Sequence, residues 1–582
     1  MTTWTSPSLA AGKQVDVTVA PSRTPPFPSE AKLISWNRTS AGSPGIRGLW
    51  SAGFIANRRE IMAQIGARAG SSDLELVSAL YERFGNEAPR LVHGPFAWIL
   101  WDGDRQRLIA VRDRLGTYEL CYTQYKGGVF LAGDVEPLLE IIRPHAVNPR
   151  AVRAQIHCCA PAPDETFYQG IAAIAPGGML TVTRARIDTA LYWHPEPRPV
   201  LDLPDDDAYG RAFRDLFLPL VAEYAPAGEA GLTLSGGLDS TTVAAAVREA
   251  SPQTGLTAFT WTAPELPEAD ESEPASAVCR QLGCHAVTLA ADRHWPLRTE
   301  PGIRPEPATP FFNLYTDLWD ATLRAVREHG IRVLFSGLSG DHLFGGDVFS
   351  YPDLLLTGRW RRLASEIRTQ RRHSDLSAAA ILRWMTIAPI ANAYLPGWER
   401  DSSPPVAWLG ERLRQEMPLE PSEPPRRLLP GRRQRLRLLR DPLLPVIASL
   451  LTRQAARHGI ELRHPLLDHR LFDFAAALPT TQTFSAGKRK MILRNAMRDR
   501  LPETVIDRRG KIYPADVASR GLRERERAKV WGLVTNMRAA QMGFVDERRL
   551  RETYDDYLAG RNQSSLFWHT LTLEAWLRRY FP

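Results

Sequence analysis

The sequence lacks an apolar run long enough to cross a membrane, for which about 18 uninterrupted apolar residues are needed. The strongest candidate, residues 376–395, is interrupted by Arg383 and Pro389. Its pattern predicts a buried helix instead. The first residues also lack the basic start and apolar core of a secretory signal. We therefore expect a cytoplasmic protein without a membrane span.

Cysteine is scarce, and its distribution excludes two classes of stabilised small domain. The chain has five cysteines, an odd number, and no two of them are spaced as C-x-x-C. This pattern argues against a disulfide framework and against a zinc site, and it favours reduced thiols in a cytoplasm. The five are Cys121, Cys158, Cys159, Cys279 and Cys284.

Acidic residues are missing from one strongly basic stretch of a chain whose formal net charge is +8. Residues 424–440 contain seven arginines and no acid. Two interpretations stay open: a solvated loop that leads into a helix, or a docking surface for an acidic peptide, a phosphate-rich ligand or nucleic acid. No aromatic side chains are interleaved, which argues against nucleic acid. We expect no nucleic-acid partner.

The pattern of apolar runs and turn residues along the chain predicts two folded domains of α/β class. Residues 1–30 are rich in Pro, Ser and Thr and are predicted to be irregular. Residues 31–194 contain short β-type runs between turns, which predicts a largely antiparallel, sheet-rich domain. A Pro- and Asp-rich linker follows. From residue 207 to residue 582, strands first alternate with helices, which predicts a parallel sheet covered by helices; beyond Tyr351 the pattern is mostly helical.

A glycine- and serine-rich turn follows the first strand of the second domain. Ser235–Ser240 reads SGGLDS and lies between a predicted strand and a predicted helix. Glycines permit close backbone approach, and the start of a helix offers unpaired N–H groups and the positive end of its dipole. The stretch is neither a Walker loop nor a dinucleotide fingerprint, because both of those patterns are absent. It predicts a phosphate site.

Two aspartates give this phosphate site its expected chemistry. Asp239 would repel phosphate unless a cation lies between them, and Mg²⁺ is the hard, oxygen-seeking choice; the alternative is an Asp N-cap after a glycine turn. A second strand runs into a Gly- and Ser-rich turn that ends in Asp341. In a parallel sheet both turns lie at the carboxyl edge. We therefore expect Asp239 and Asp341 to share one Mg²⁺ with a triphosphate.

These motifs carry a resemblance. "LSGGLDSTT" together with "FSGLSGDHLFGG" resembles the ATP-pyrophosphatase domain of the asparagine synthetase superfamily. Residues 461–479 and 487–509 resemble two further conserved segments of that family. In the N-terminal half, "HGPFAWILWDGDRQRLIAVRDRLGTYELCY" resembles its glutaminase-like domain. The resemblance spans most of residues 85–515. It implies a degenerate, Ntn-type glutaminase-like domain followed by an ATP-pyrophosphatase domain with a parallel sheet.

The resemblance implies an adenylating ligase that uses ATP and Mg²⁺. A carboxylate attacks the α-phosphate, pyrophosphate leaves, and an amine displaces AMP to form an amide. Asp239 and Asp341 match the metal ligands of the family, and Lys490 matches its catalytic lysine. A fixed cation beside a developing oxyanion is a large electrostatic contribution. The positions that match ATP-binding residues are Leu234, Ser235, Gly236, Gly237, Asp239, Ser240, Trp261, Ser336 and Gly337.

The sequence departs from the family at two places. The family's glutaminase uses a cysteine exposed after removal of Met1, whereas Thr2 follows here and Cys121 lies deep in the domain. We expect no glutamine hydrolysis. Leu338 stands where asparagine synthetases have a glutamate and β-lactam synthetases have a tyrosine that helps to deprotonate the amine. Leucine can do neither. His342 is a candidate for accepting the amine proton, with a hydrogen-bonded histidine at a strand end as the alternative.

One branch of the superfamily fits both departures, namely the lasso peptide cyclases, which are macrolactam synthetases. The resemblance implies adenylation of an Asp or Glu side chain in a precursor peptide, whose N-terminal amine then closes an isopeptide ring. It also implies a leader-peptide protease and a leader-recognition protein as partners. A β-lactam synthetase-like enzyme, an asparagine synthetase and an inert peptide-presenting scaffold remain alternatives; a tRNA-modifying enzyme lacks support. His464 and His469 are predicted to have core or hydrogen-bonding roles rather than to bind a metal.

Overall fold

A computed structural model describes most of the chain. The described residues are 34–37, 45–143, 146–267, 270–299, 302–345, 350–374, 376–395, 406–416, 423–509, 515–562 and 564–582. The segment 1–30, predicted to be irregular, lies outside them.

The N-terminal domain contains two antiparallel sheets, as its close-set turns predicted. One sheet has the strand order β2-β3-β4-β8-β9 and the other has the order β1-β6-β5-β7. The strands are β1 Ile34–Asn37, β2 Ile46–Gly53, β3 Phe96–Asp102, β4 Arg107–Arg112, β5 Cys121–Tyr125, β6 Gly128–Ala132, β7 Ala172–Ala173, β8 Gly178–Val182 and β9 Ile187–Leu191. The helices are α1 Arg58–Ile65, α2 Asp73–Phe84, α3 Ala88–Leu91, α4 Glu136–Leu139 and α5 Pro149–Ile156, with a 3₁₀ turn at Gly85–Glu87.

The continuous apolar sequence of β3 reflects burial on both of its faces. Ile99 and Trp101 point into a core shared with the second sheet. The alternate residues Trp98 and Leu100 pack against α2, where Leu80 is buried. The order of layers is therefore helices, sheet, sheet. A third cluster joins α5 to the last helix of the chain, and Gln155 Nε2 donates to Thr572 Oγ1 across that contact at 3.1 Å.

The second domain is built on a five-stranded parallel sheet, which confirms the fold class expected from its alternating strands and helices. The strand order is β12-β11-β10-β13-β14, and every neighbouring pair is parallel. The strands are β10 Glu229–Thr233, β11 Gly255–Thr262, β12 His285–Ala290, β13 Val333–Phe335 and β14 Glu461–Arg463. The sequence did not predict β14, a three-residue strand within helical sequence. A separate hairpin pairs β15 Phe484–Ser485 with β16 Lys488–Arg489.

Helices cover this sheet and form the rest of the domain. They are α6 Asp206–Tyr224, α7 Leu238–Ala250, α8 Ser272–Leu282, α9 Thr316–Glu328, α10 Gly340–Phe344, α11 Tyr351–Leu356, α12 Trp360–Arg372, α13 Ala378–Ala380, α14 Ala388–Tyr394, α15 Glu411–Arg414, α16 Pro430–Leu439, α17 Leu443–Arg457, α18 His469–Ala477, α19 Met491–Met497, α20 Glu503–Ile506, α21 Ala515–Arg520, α22 Arg527–Leu533, α23 Arg538–Gln541, α24 Glu547–Leu558 and α25 Phe567–Tyr580. Short 3₁₀ turns lie at Ala291–Arg293 and Thr480–Gln482, and π-helical segments at Ile381–Ile387 and Gly521–Arg525.

The prediction that residues 376–395 form a buried helix is right about the helix and wrong about its complete burial. The segment is helical, but Trp384 is 55% exposed and Ile387 and Leu376 are also exposed. An apolar sequence indicates what can be buried, not whether the chain itself supplies a cover. Across the part of the chain that the structure describes, no helix has the length and apolarity to cross a membrane.

The basic stretch 424–440 fits the first of its two interpretations only in part. Arg426 and Arg427 are exposed in the segment that leads into α16, but Arg435, within α16, is only 2% exposed. Arg435 donates to the carbonyl oxygen of Ala475 and to Thr483 Oγ1, and Arg432 donates to the carbonyl oxygen of Ala476. The last carbonyls of a helix such as α18 have no partners within the helix and need donors from outside it. These arginines supply them.

Candidate active site

Two loops meet at the carboxyl edge of the parallel sheet, because β10 and β13 are neighbours. The first loop runs from β10 into α7. Ser240 Oγ accepts from Ser235 N at 3.1 Å, and Gly237 N donates to Ser235 Oγ at 3.2 Å. The N-cap of α7 is Gly237, which has no side chain, so the alternative of Asp239 as an N-cap is wrong. The Asp239 carboxylate is directed elsewhere.

Glycines let the second loop, which follows β13, contact the first. A Cβ atom on Gly337 would lie 2.7 Å from Ser240 N, and one on Gly340 would lie 2.2 Å from Asp239 Cγ. Real Cβ atoms essentially never show contacts this short, so a side chain at position 337 would clash with backbone and one at position 340 would displace the Asp239 carboxylate. The two loops therefore form one surface, with Asp239 on one side and Asp341 on the other.

One lysine joins the two aspartates. Lys490 Nζ donates to Asp239 Oδ1 at 2.7 Å and to Oδ2 at 2.6 Å, and it lies 2.7 Å from Asp341 Oδ1. Lys490 is 8% exposed, whereas the Asp341 side chain is 46% exposed. Both carboxylates thus point at one position that a cation already occupies. They offer oxygen donors to a position that an ion can share, which is the arrangement that Mg²⁺ uses when it binds through one or two carboxylates and substrate phosphates.

The protein by itself offers no complete metal cage. Across the described residues, no group of three or more His, Cys, Asp or Glu side chains is arranged to hold a metal ion. A Mg²⁺ ion held by Asp239 and Asp341 would take its remaining ligands from phosphate oxygens and water.

The turn before Lys490 is held by a residue that the sequence analysis missed. Lys490 has a left-handed backbone with φ 58°, and its N–H donates to the Thr483 carbonyl oxygen. The buried carboxylate of Glu366, on α12, accepts from Ser485 Oγ at 2.5 Å and from Ala486 N. Glu366 therefore fixes the β15–β16 hairpin that leads to Lys490. The available signal was a single acid within the arginine-rich sequence RRLASEIRTQRR.

A cavity of about 980 Å³ opens over this surface, and all eleven predicted site residues line it. The structure brings together Leu234, Ser235, Gly236, Gly237, Asp239, Ser240, Trp261, Ser336, Gly337, Asp341 and Lys490. The far side of the cavity is apolar and includes Phe312, Leu314, Val446, Leu450 and Trp568. The site therefore has a polar, charged end at the strand edge and an apolar end beneath α17 and α25.

Further arginines line the polar end, and the sequence analysis had not singled them out. Arg508 Nη1 donates to the carbonyl oxygen of Gly236 at 3.2 Å and lies 3.2 Å from Glu271 Oε1. Arg494 and Arg509 line the same cavity. Burial lowers the pKa of Arg494 to about 10, which leaves it charged at neutral pH. The Arg494 guanidinium donates to the carbonyl oxygens of Arg489, Ile506 and Arg508, so it contributes positive charge to this end of the cavity while its N–H groups are bonded within the chain.

Two histidines near the second loop have identifiable partners. Ser336 Oγ lies 2.6 Å from His464 Nδ1 and accepts from Leu338 N. Burial lowers the pKa of His464 to about 3, so its ring is neutral and acts as a hydrogen-bonding support. His342 lines the cavity and lies 3.3 Å from Asp441 Oδ2. Leu338 lines the cavity as well and contributes no titratable group.

The polar motif of the N-terminal domain, RDRLG at residues 112–116, has a different use. The Arg112 guanidinium donates to the carbonyl oxygens of Gly116, Tyr118 and Ile174. Asp113 is buried and accepts from Leu115 N, and burial raises its pKa. These buried side chains stabilise the N-terminal domain through hydrogen bonds to its own backbone.

The buried cysteine of the N-terminal domain is poorly suited to nucleophilic chemistry. Cys121 is fully buried, and burial raises the pKa of its thiol. Nucleophilic cysteines need the opposite, a lowered pKa and an accessible sulfur.

The second domain and the N-terminal domain each match a known protein family. Residues 220–578 match the asparagine synthase family, and residues 49–193 match a glutamine amidotransferase domain. Amidase chry2 of Gibberella zeae is 28% identical over 335 residues, which cover 53% of this chain and 49% of that protein. Amidase chyE of Penicillium rubens is 29% identical over 308 residues, which cover 49% of this chain and 45% of that protein.

The chain spans about half the length of those two curated relatives. A longer match is to the putative asparagine synthetase [glutamine-hydrolyzing] of Mycobacterium tuberculosis. It is 24% identical over 566 residues, which cover 90% of this chain and 83% of that protein.

Proposed function

The chain belongs to the asparagine synthase family, and on that premise we propose that it is an ATP-dependent, AMP-forming ligase that makes amide bonds. The observation that carries the proposal is the convergence of Asp239, Asp341 and Lys490 on one wall of a cavity, beside a glycine loop at a helix N-terminus. A carboxylate substrate attacks the α-phosphate of ATP, pyrophosphate departs, and an amine displaces AMP from the acyl adenylate.

The loop Ser235–Ser240 is suited to the departing pyrophosphate. The N-terminus of α7 and the exposed face of the loop provide a positive end and backbone donors, and Arg508 adds a charge. Asp239 and Asp341 would hold Mg²⁺, which when bound neutralises phosphate charge. Trp261 and Ser336 lie at the ends of β11 and β13, where the nucleoside fits against the sheet edge.

Lys490 is proposed to stabilise the charge that develops at the reacting centre. Its ammonium contacts Asp239 and Asp341, and its backbone N–H donates to the carbonyl oxygen of Thr483 next to the hairpin. A cation that is already oriented needs no reorganisation when charge develops, and it acts strongly where water is partly excluded. The same group serves both the pentavalent phosphorus and the tetrahedral intermediate of amide formation.

We further propose that the carboxylate belongs to an Asp or Glu side chain of a precursor peptide, whose N-terminal amine closes a macrolactam ring as in lasso peptide cyclases. Two observations support this assignment. Leu338 provides no base of the kind used by the asparagine synthetases and β-lactam synthetases. The cavity volume lies at the top of the range for small-molecule sites, and its apolar end suits peptide side chains beside the nucleotide. A leader-peptide protease and a leader-recognition protein are the partners proposed with it.

Asparagine synthesis from free ammonia is a second candidate, favoured by the long match to a putative asparagine synthetase. A β-lactam synthetase-like ring closure has less support because of Leu338. An inert scaffold has the least, because a scaffold has no need for a buried lysine between two converging aspartates.

The test is to incubate the purified protein with Mg-ATP and candidate precursor peptides. AMP and pyrophosphate should appear, and the peptide should lose the mass of one water and resist proteases. Asp341→Asn should abolish both products. Release of ADP would contradict the adenylation mechanism, while AMP release with aspartate and ammonium but with no peptide would select asparagine synthesis.

A further inference from the structure

Exposed apolar side chains are concentrated in one short part of the molecule. Among the described residues, ten large hydrophobic side chains are exposed, and eight of them lie between residues 356 and 395. We call the solvent side of residues 356–395 the outer face; it comprises the end of α11, then α12, α13, the π-helical segment and α14. Its exposed apolar residues are Leu356, Trp360, Leu376, Leu382, Trp384, Ile387, Tyr394 and Leu395.

The opposite side of these helices is packed, so the outer face is the uncovered side of an ordered structure. Leu363, Ile381 and Met385 form one buried cluster with Tyr351 and Phe484. In contrast, Trp360 is 67% exposed. Exposed apolar side chains that are concentrated in one part of a folded protein are a candidate interaction site.

The outer face is also positively charged without internal compensation. Seven exposed arginines lie on it, and none forms an ion pair with any residue that the structure describes. The acid described in this range, Glu366, is buried and bonded to the hairpin before Lys490. The arginines are Arg359, Arg361, Arg362, Arg368, Arg371, Arg372 and Arg383. The charge that complements this face is negative, and none of the acids in the described part of the chain pairs with these arginines.

The composition of the outer face fits a polypeptide. Trp, Tyr and Arg are the residues that contribute most of the binding energy at protein interfaces, and arginine pairs with carboxylates through two parallel hydrogen bonds. The Arg383 guanidinium already lies over the Trp384 ring, 4.9 Å from its centre. Stacked in this way, it keeps N–H groups available for a carboxylate.

The position of the outer face favours a polypeptide over a lipid surface. Gln370, on α12, lies 3.0 Å from the point that a Cβ on Gly487 would occupy, and Arg509 Nη1 lies 2.9 Å from the same point. Arg509 lines the cavity. The packed side of α12 therefore reaches the rim of the active site, so the outer face lies one helix diameter, about 10 Å, from the opening, and an extended chain bound to the outer face can reach it.

We propose that the outer face binds an acidic polypeptide segment that also carries apolar or aromatic side chains. Its carboxylates pair with the arginines, and its apolar side chains cover Trp360 and Trp384. This binding does not depend on the ligase reaction, so either proposal can fail without the other.

The experiment uses the full chain and a fluorescent random copolymer of glutamate and tyrosine, with affinity measured by anisotropy at physiological ionic strength. The double variant Trp360→Ala/Trp384→Ala should bind about tenfold more weakly or worse, and so should Arg361→Glu/Arg362→Glu. The matched control, Arg68→Glu/Arg184→Glu, changes two exposed arginines of the N-terminal domain and should bind as the wild type does. Unchanged thermal unfolding of each variant excludes misfolding as the cause.

Four results would overturn the proposal. The wild type fails to bind the copolymer, or it binds pure polyglutamate equally well with no effect of the tryptophan changes. Alternatively, phosphatidylglycerol vesicles bind to this face and the copolymer does not displace them. Finally, size-exclusion chromatography with light scattering shows that the wild type self-associates through this face and that the variants do not. ATP–pyrophosphate exchange, measured in the same preparations, reports separately on the ligase site.

Discussion

The Arg112–Asp113 pair of the N-terminal domain and the Lys490 cluster of the second domain use buried charge in opposite ways. In the N-terminal domain, Arg112 donates to three backbone carbonyls and Asp113 accepts from backbone N–H groups. In the second domain, Lys490 contacts Asp239 and Asp341, and all three line a cavity. Arg112 and Asp113 face their own chain, whereas Lys490 and the two aspartates face a space that a ligand can enter.

The difference separates residues that stabilise a fold from residues that we propose act on a ligand. A buried guanidinium whose donors are all taken by carbonyls cannot release them without destabilising its domain. A lysine between two carboxylates can exchange one partner for a phosphate or a metal-bound oxygen, because the charges remain balanced. Substitutions at the two places should therefore affect different measurements.

The largest effect is expected from Lys490→Met. Removing a preorganised cation from the reacting centre should lower ATP–pyrophosphate exchange by about 10³-fold, measured with the peptide that supports AMP release, while thermal unfolding changes little. Lys488→Met is the matched control. Lys488 lies two residues earlier and pairs with Asp507, whose side chain is mostly exposed. It should keep activity within about threefold of the wild type. Equal loss in both variants would contradict a specific role for the cation at position 490.

Arg112→Met should produce the opposite pattern. Three buried carbonyl oxygens lose their donors, and each such loss costs about 1 kcal/mol or more, so the N-terminal domain should lose about 3 kcal/mol of unfolding free energy. Urea denaturation measures this change. Arg105→Met, which removes an exposed partner of Asp102, should cost under about 1 kcal/mol. Pyrophosphate exchange per folded molecule should stay at the wild-type rate in both variants.

A smaller loss of activity is expected from Gly340→Ala. The added methyl group would meet Asp239 Cγ and must push the carboxylate away from Lys490. A displacement of this size at a reacting centre costs about 10²-fold in rate. Gly532→Ala is the control, because a Cβ atom there meets open space. Wild-type exchange rates in Gly340→Ala would show that the contact between the two loops has no role in catalysis.

The smallest effect concerns pH and the second domain. Burial lowers the pKa of His464 to about 3, below the value of about 6.5 in an unfolded chain. As pH falls below 6.5, the unfolded chain takes up a proton that the folded chain does not, so stability is lost. Between pH 6.5 and 4.5 the loss is about 2 kcal/mol for this residue. The His464→Gln variant should lose that much less than the wild type in urea titrations at the two pH values. An identical pH dependence would mean that His464 takes up its proton at the same pH in the folded and the unfolded chain.

The sequence predicted the sheets of both domains because their strands are apolar runs bounded by turn residues. It placed Asp239 and Asp341 together because parallel strands end at one edge of a sheet. It did not predict β14, since a strand of three residues leaves too short a pattern between helices. Glu366 was missed for another reason: its partner Ser485 lies 119 residues away, and no local pattern reports so distant a hydrogen bond.

Residues 376–395 and 424–440 show the limit of composition as a guide to burial. The first segment is apolar and partly exposed; the second is basic and contains two deeply buried arginines. Burial of Arg435 follows from the free carbonyls at the end of α18, which are specified elsewhere in the chain. Exposure of Trp384 follows from the absence of a covering element among the described residues of the chain. Neither the burial of Arg435 nor the exposure of Trp384 could be predicted from the sequence of its own segment.

Glu366 joins two functions that otherwise lie on opposite sides of one helix. Its carboxylate holds the hairpin that orients Lys490, while the rest of α12 presents arginines to solvent. Mutation can therefore rewrite the outer face without altering the chemistry, provided that this one glutamate is kept. If both proposals hold, substitutions on the solvent side of α12 change what this protein binds and leave the position of Lys490 unchanged.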